Sequence, residues 1–151
     1  MKMTTLCLRC FGAAAVLALA LAATGCKSSR GADSPNTASG LAEVNLNAKT
    51  AEQVKEIARE FFRDRGYVEI ESRHVYEVAF DKATKSGRSS TALRVRLRLN
   101  KQLDGAWRLV GTPMGVEAWR SDLESEAVLP QGVSQIQAFL VEIKQRVESS
   151  Q

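Results

Sequence analysis

Few side chains in this sequence could carry out chemistry. His74 is the only histidine, and the three cysteines stand at positions 7, 10 and 26. An activated nucleophile or a zinc site needs two or more such groups held together. The sequence also contains no glycine-rich phosphate loop and no G-x-S-x-G motif. We therefore predict no catalytic residue, no metal ligand and no cofactor, and we expect the protein not to be an enzyme.

The strongest chemical signal is a run of positive charge. Seven basic residues follow Asp81 before the next acid occurs. Side chains alternate along a strand, so Arg94, Arg96 and Arg98 share one face at a spacing of about 6.5 to 7 Å. This row could bind an anionic lipid or an acidic protein partner. Alternatively, Glu77 and Asp81 on the neighbouring strand neutralise it, and the row is cross-strand structure.

The N-terminal segment has the organisation of an export signal. Lys2 and Arg9 precede an apolar run of 13 residues, 11–23. A helix of that length is shorter than the hydrocarbon core of about 30 Å, which favours a cleaved signal over a membrane-spanning helix. The run leads into Leu21-Ala-Ala-Thr-Gly-Cys26. This ending resembles the lipobox of bacterial lipoproteins; the alternative is an ordinary secretory signal followed by a chance cysteine.

The lipobox resemblance implies a location. It implies cleavage between Gly25 and Cys26, a diacylglycerol on the Cys26 thiol, and acylation of the new amino terminus. Lys27 follows the cysteine, where an aspartate retains lipoproteins in the inner membrane of enteric bacteria. The resemblance therefore implies an outer-membrane lipoprotein that faces the periplasm, with the inner membrane or the cell surface as alternatives.

Composition divides the chain into a signal at 1–25, a lipidated tether at 26–40 and a single domain at 41–151. The tether is rich in Ser, Gly, Ala and Asn and has no apolar residue larger than Ala after the cysteine, which predicts flexibility. Cleavage would leave 126 residues with 19 basic and 17 acidic side chains, so the net charge falls to +2. We expect no nucleic-acid partner. With one cysteine left, we expect a monomer without a disulfide.

The domain itself has the pattern of an α+β fold. Helical spacing of apolar residues predicts a helix at 50–65 with a Thr50 cap, and a closing helix from Ser134. Between them the period changes to 2. This change predicts an antiparallel sheet of three to five strands, with both helices on one face. The predicted strands are 67–71, 74–81, 91–99, 106–112 and an edge strand at 116–119, with Pro113 and Gly115 as an interruption.

These features favour a membrane-tethered, noncatalytic binding or accessory protein of the bacterial envelope. One alternative is a structural subunit that docks through a sheet edge or through Trp119. Burial of Trp119 against the closing helix is the simpler expectation for that side chain. The other alternative is a small periplasmic hydrolase, which a pocket lined by convergent acids and His74 would favour. A flat sheet whose arginines lack acidic partners would instead favour ligand or lipid binding.

Overall fold

The computed structural model describes residues 37, 39–48, 50–84 and 90–151. The signal, Cys26 and most of the tether lie outside this part of the chain. The described residues form an α+β domain with two helices and one antiparallel sheet of six strands. The elements are β1 (Ala42–Leu46), α1 (Ala51–Arg63), β2 (Val68–Ile70), β3 (Glu77–Thr84), β4 (Thr91–Lys101), β5 (Trp107–Glu117), β6 (Ser125–Val128), a 3-10 turn (Pro130–Gly132) and α2 (Val133–Ser149).

The strands lie in the order β1-β5-β4-β3-β2, and β6 also pairs with β5. Strand β4 pairs along one side of β5. On the other side, β1 pairs with residues 107–111 and β6 with residues 114–117. Strands β1 and β6 therefore lie end to end along the same side of β5.

Both helices pack on one face of the sheet, which we call the helix face. The opposite face, which no helix covers, is the open face. Side chains of β4 alternate as the sequence predicts, so Leu97 is fully buried on the helix face. Phe62 of α1 stacks on Phe80 of β3 with ring centroids 4.6 Å apart. From α2, Ile136, Leu140, Ile143 and Val147 complete the core.

The predicted helix at 50–65 is confirmed by α1. The hydroxyl of Thr50 accepts a hydrogen bond from the Gln53 N–H at 3.2 Å, and Gly66 has a φ of 76° after the helix ends. However, β1 precedes α1, so the helix is not the first element of the described chain. The predicted cap at Ser134 is wrong, because α2 begins at Val133 and Gly132 holds the N-cap position, so Ser134 lies within the helix.

The sheet is larger than the sequence predicts, because β1 and β6 add to it. Pro113 and Gly115 lie inside β5 and do not interrupt it. The Pro113 carbonyl accepts a hydrogen bond from the Leu129 N–H at 3.0 Å, so its backbone polar groups face the side where β1 begins and β6 ends. The missing proline N–H therefore removes no hydrogen bond between β4 and β5.

A side chain from α2 covers the outer edge of β1. The Gln137 side-chain carbonyl accepts a hydrogen bond from the Glu43 N–H at 2.8 Å, and its amide donates to the Glu43 carbonyl at 3.1 Å. Both backbone groups of Glu43 are thus satisfied on the side of the strand away from β5.

Candidate functional site

The predicted arginine row lies on the open face, but its three members have different surroundings. Arg94 is buried, Arg96 is partly buried and Arg98 is exposed. Arg94 is therefore not on the surface with the other two members of the row. The reason is a segment from residue 118 to residue 124, the Trp119 strap, which connects β5 to β6 and folds over this part of the open face.

Arg94 and Asp81 form a buried ion pair between β4 and β3, where they are direct cross-strand partners. The Nε and Nη2 atoms of Arg94 each lie 2.7 Å from one Asp81 oxygen. The side chains are 7% and 1% exposed. Trp119 donates its indole N–H to the same carboxylate at 2.8 Å. The hydrogen bonds to Asp81 raise the pKa of Arg94 further above its ordinary value, so the guanidinium stays charged.

Two acids from beyond β5, one in the Trp119 strap and one in β6, extend this pair into a network. Arg94 contacts Glu124 at 2.9 Å and also contacts Glu126. Arg96 donates to both oxygens of Glu126, at 2.7 and 2.8 Å, and contacts Glu77 at 3.2 Å. Burial alone would raise the pKa of Glu126, but its hydrogen bonds and charge interactions with Arg96 and Arg94 lower it overall.

The Trp119 strap is strained and well tied down. Ala118 and Arg120 have φ values of 49° and 61°, a region that residues other than glycine rarely adopt. Trp119 and Ser90 exchange two hydrogen bonds, of 2.9 and 3.1 Å. The Arg120 N–H donates to Glu124 at 2.9 Å. Trp119 thus lies on the open face and not against α2, which corrects the expectation from the sequence.

Arg98 is the member of the row that remains free. Its Cα partners are Glu77 on β3 and Val110 on β5. Glu77 is already held by Arg96 and by the Ser72 hydroxyl at 3.1 Å. Arg98 is exposed and forms no hydrogen bond or ion pair with the residues that the structure describes.

The network forms the floor and one wall of a cleft on the open face, which we call the open-face groove. Its volume is about 590 Å³. The chain between β2 and β3 forms the opposite wall and contributes Glu71, Arg73 and His74. The full lining is Ile70, Glu71, Arg73, His74, Arg94, Arg96, Glu124 and Glu126.

The lining of the groove includes His74 and three glutamates, the combination that we expect of a hydrolase. Two of the three, Glu124 and Glu126, are bound to arginines. The His74 ring forms no hydrogen bond within the described chain. No group of three metal-ligating side chains occurs among the described residues. The groove is therefore a polar cleft of balanced charge, in which arginines hold two of the three carboxylates and the His74 ring has no partner among the described residues.

The sequence predicts only part of this network. The pairing of Arg94 with Asp81 and of Arg96 with Glu77 agrees with the cross-strand interpretation. Glu124 and Glu126 were not predicted, because they follow a strap whose path no sequence period indicates. Cys26, the predicted lipidation site, lies outside the described residues.

No protein-family model matches the chain, and no curated protein sequence matches it. Within the described residues, no helix is both long enough and apolar enough to cross a membrane.

Proposed function

We propose that the chain is a membrane-tethered, noncatalytic binding or accessory lipoprotein of the bacterial cell envelope, and that it binds its ligand in the open-face groove. The tether is the segment that follows Cys26, and its lipid sits in the outer membrane on the periplasmic side. The inner membrane and the cell surface are the alternative locations. The lipobox resemblance supports the anchor, and the shape of the sheet supports the binding role.

One observation carries the binding role: the helices cover a single face of the sheet, and the uncovered face contains a formed cleft. Its floor is rigid, because acids on β3 and on β6 hold Arg94 and Arg96 from two sides. Its rim offers Glu71, Arg73 and His74, which are exposed. A rigid floor with a free, mixed-charge rim suits a polar ligand that carries both charges.

A hydrolase is less well supported by the same geometry. A general acid must hold a proton at the working pH, whereas the arginines lower the pKa of Glu126. A general base of the histidine type needs a partner that fixes its tautomer, and His74 has none within the described chain. The structural-subunit alternative predicts a large protein interface in place of a ligand in the groove.

Lipid labelling tests the anchor. Cells that express the full chain are fed a clickable palmitate analogue, and the wild type is compared with Cys26→Ser. We expect label on the wild type alone, and we expect Cys26→Ser to leave the membrane fraction in a wash with about 0.5 M salt. Equal labelling of the two proteins would remove the anchor from the proposal, and fractionation of the labelled protein decides between the two membranes.

Site-specific photo-crosslinking tests the groove. A photoreactive amino acid is placed at Ile70 or His74, and a control is placed at Gln145 on the exposed side of α2. We expect one defined adduct from both groove positions and none from Gln145. Adducts of equal yield at all three positions would contradict ligand binding in the groove. Turnover of a small ester or glycoside that is lost in His74→Ala would favour the hydrolase.

A further inference from the structure

Exposed apolar side chains gather at one end of the sheet, where β3 begins and the β4–β5 hairpin projects beyond it. Val75 and Tyr76 are 76% and 53% exposed, and Leu103 in the hairpin turn is fully exposed. We call these three residues the Leu103 end. Isolated exposed apolar residues are ordinary on a soluble protein, but three at one tip of the fold mark an interaction surface.

The backbone holds this surface rigidly. The buried Lys55 donates its ammonium group to the Val75 carbonyl at 3.0 Å. The Tyr76 ring lies against Trp107, with centroids 5.9 Å apart, and the Tyr76 carbonyl accepts a hydrogen bond from the Leu99 N–H at 2.8 Å. The apolar side chains are therefore presented to solvent from fixed positions, so binding would cost little ordering entropy.

Free positive charges surround the same end. Arg73 precedes Val75 by two residues, Arg98 is next to Tyr76's partner Leu99, and the Lys101 ammonium lies 5.8 Å from the Trp107 ring centre. All three basic side chains belong to exposed residues, and none forms an ion pair within the described chain.

Two acids lie at this end: Glu77, which follows Tyr76 and is paired with Arg96 at 3.2 Å, and Asp104 in the hairpin turn. The Asp104 side chain accepts a hydrogen bond from the Ala106 N–H at 3.0 Å. Arg73, Arg98 and Lys101 form no ion pair within the described chain, whereas Glu77 is held by Arg96. Apolar and aromatic side chains ringed by cations fit the headgroup region of a bilayer that contains anionic lipids.

We propose that the Leu103 end docks on the surface of an anionic bilayer, with Val75, Tyr76 and Leu103 in the headgroup layer and the three basic side chains on lipid phosphates. The proposal uses the membrane tether of the proposed function only to bring the domain near the surface. Residues 27–40 can span at most about 45 to 50 Å. Strand β1 runs from Ala42 towards this end, and its four steps cover about 14 Å. The tether is thus long enough for this end to reach the membrane.

Vesicle sedimentation tests the docking without the lipid anchor. The protein is residues 26–151 with Cys26→Ser, which contains every core residue, since these lie between Ala42 and Val147. The vesicles contain equal amounts of phosphatidylglycerol and phosphatidylcholine, or phosphatidylcholine alone. We expect binding to the anionic vesicles at low salt and at least tenfold weaker binding to the neutral ones. At about 0.5 M salt the binding should be lost, because salt screens the attraction between exposed charges.

Matched substitutions identify the surface. Leu103→Glu should weaken binding at least tenfold. Leu123→Glu should not, since this residue is also an exposed leucine but lies in the Trp119 strap at the other end of the sheet. Arg98→Gln should weaken binding about fivefold, the share expected of one charge near an anionic surface. All of these residues are exposed, so the variants should unfold thermally like the parent protein.

A fluorescent label gives an independent readout. With Cys26 replaced, Leu103→Cys supplies a single thiol for an environment-sensitive dye, and Leu123→Cys supplies the control. We expect a blue shift on anionic vesicles from the first position alone. Absence of binding at low salt, equal loss with Leu103→Glu and Leu123→Glu, or equal dye shifts would overturn the proposal. Because Cys26 is absent from this protein, such a failure would leave the palmitate result, and hence the anchor, unaffected.

Discussion

The buried ion pair between Arg94 and Asp81 makes the open face sensitive to one substitution. Arg94→Gln removes the two hydrogen bonds of 2.7 Å and leaves the Asp81 carboxylate, 1% exposed, with the Trp119 indole as its remaining donor. Breaking a buried pair from one side costs about 3 to 5 kcal/mol, because the other charge stays desolvated. A domain of this size has a total stability of roughly 5 to 15 kcal/mol, so the loss should be large and easily measured.

Urea unfolding followed by circular dichroism provides the assay, with residues 26–151 carrying Cys26→Ser as the parent. Arg98→Gln is the matched control, since it removes the same charge from an exposed site four residues away on the same strand. We expect that control to change the free energy of unfolding by less than about 0.5 kcal/mol. The double variant Asp81→Asn with Arg94→Gln should cost less than the sum of the single changes, by at least about 1 kcal/mol.

Two results would refute this reasoning. A loss below about 1 kcal/mol for Arg94→Gln would mean that the pair is accessible to water and that the Trp119 strap does not cover it. Equal losses for Arg94→Gln and Arg98→Gln would mean that charge on this face, and not burial, sets the stability. Either result would also revise the rigid floor that the proposed groove depends on.

Three further predictions follow from the core and from the network. Gly111→Ala should destabilise the domain by about 1 to 3 kcal/mol, since the new methyl group would lie 2.4 Å from Ile136 Cγ2. Adding Ile136→Ala to the same protein should recover part of this lost stability, as measured by thermal unfolding. Leu97→Ala should cost about 2 to 5 kcal/mol in urea unfolding, and a cost below about 0.5 kcal/mol would contradict its burial on the helix face. The pKa of Glu126 is lowered in the folded state, so its contribution to stability is present above the ordinary value of about 4.3 and is lost as the pH falls through the folded value. Glu126→Gln should therefore flatten the decline of the urea midpoint below about pH 4.5, and an unchanged decline would argue against its pairing with Arg96.

The elements with a strong period were predictable from sequence. Apolar residues at helical spacing define α1 and the buried stripe of α2, and strict alternation from Leu93 to Leu99 fixes which face of β4 is buried. These patterns arise because each element buries one face, and burial selects residue type at the same interval as the backbone repeats. The fold class and the phase of the arginine row follow from them.

Other elements carry too little of this signal. Strand β6 contains only four residues, all exposed, so no alternation of burial marks it. Strand β2 places Val68 opposite Asp81 on the open face, contrary to the usual orientation of an apolar side chain. Pairing across the sheet also joins residues that are distant in sequence, such as Arg96 and Glu126. Periodicity within one segment cannot reveal such a partner, and the charge balance of the groove therefore emerges only from the fold.

The amide of Gln137 has a consequence for the whole molecule. The outer edge of β1 would otherwise display the N–H and carbonyl of Glu43, and an exposed strand edge is a template on which another chain can form β-structure. The amide occupies both groups in the way a neighbouring strand would, and it is carried by a helix that cannot extend the sheet. The proposed lipid anchor would concentrate copies of the chain in two dimensions on a membrane surface, where even weak pairing between them would be amplified. On such a surface, one glutamine would help to keep neighbouring copies from polymerising.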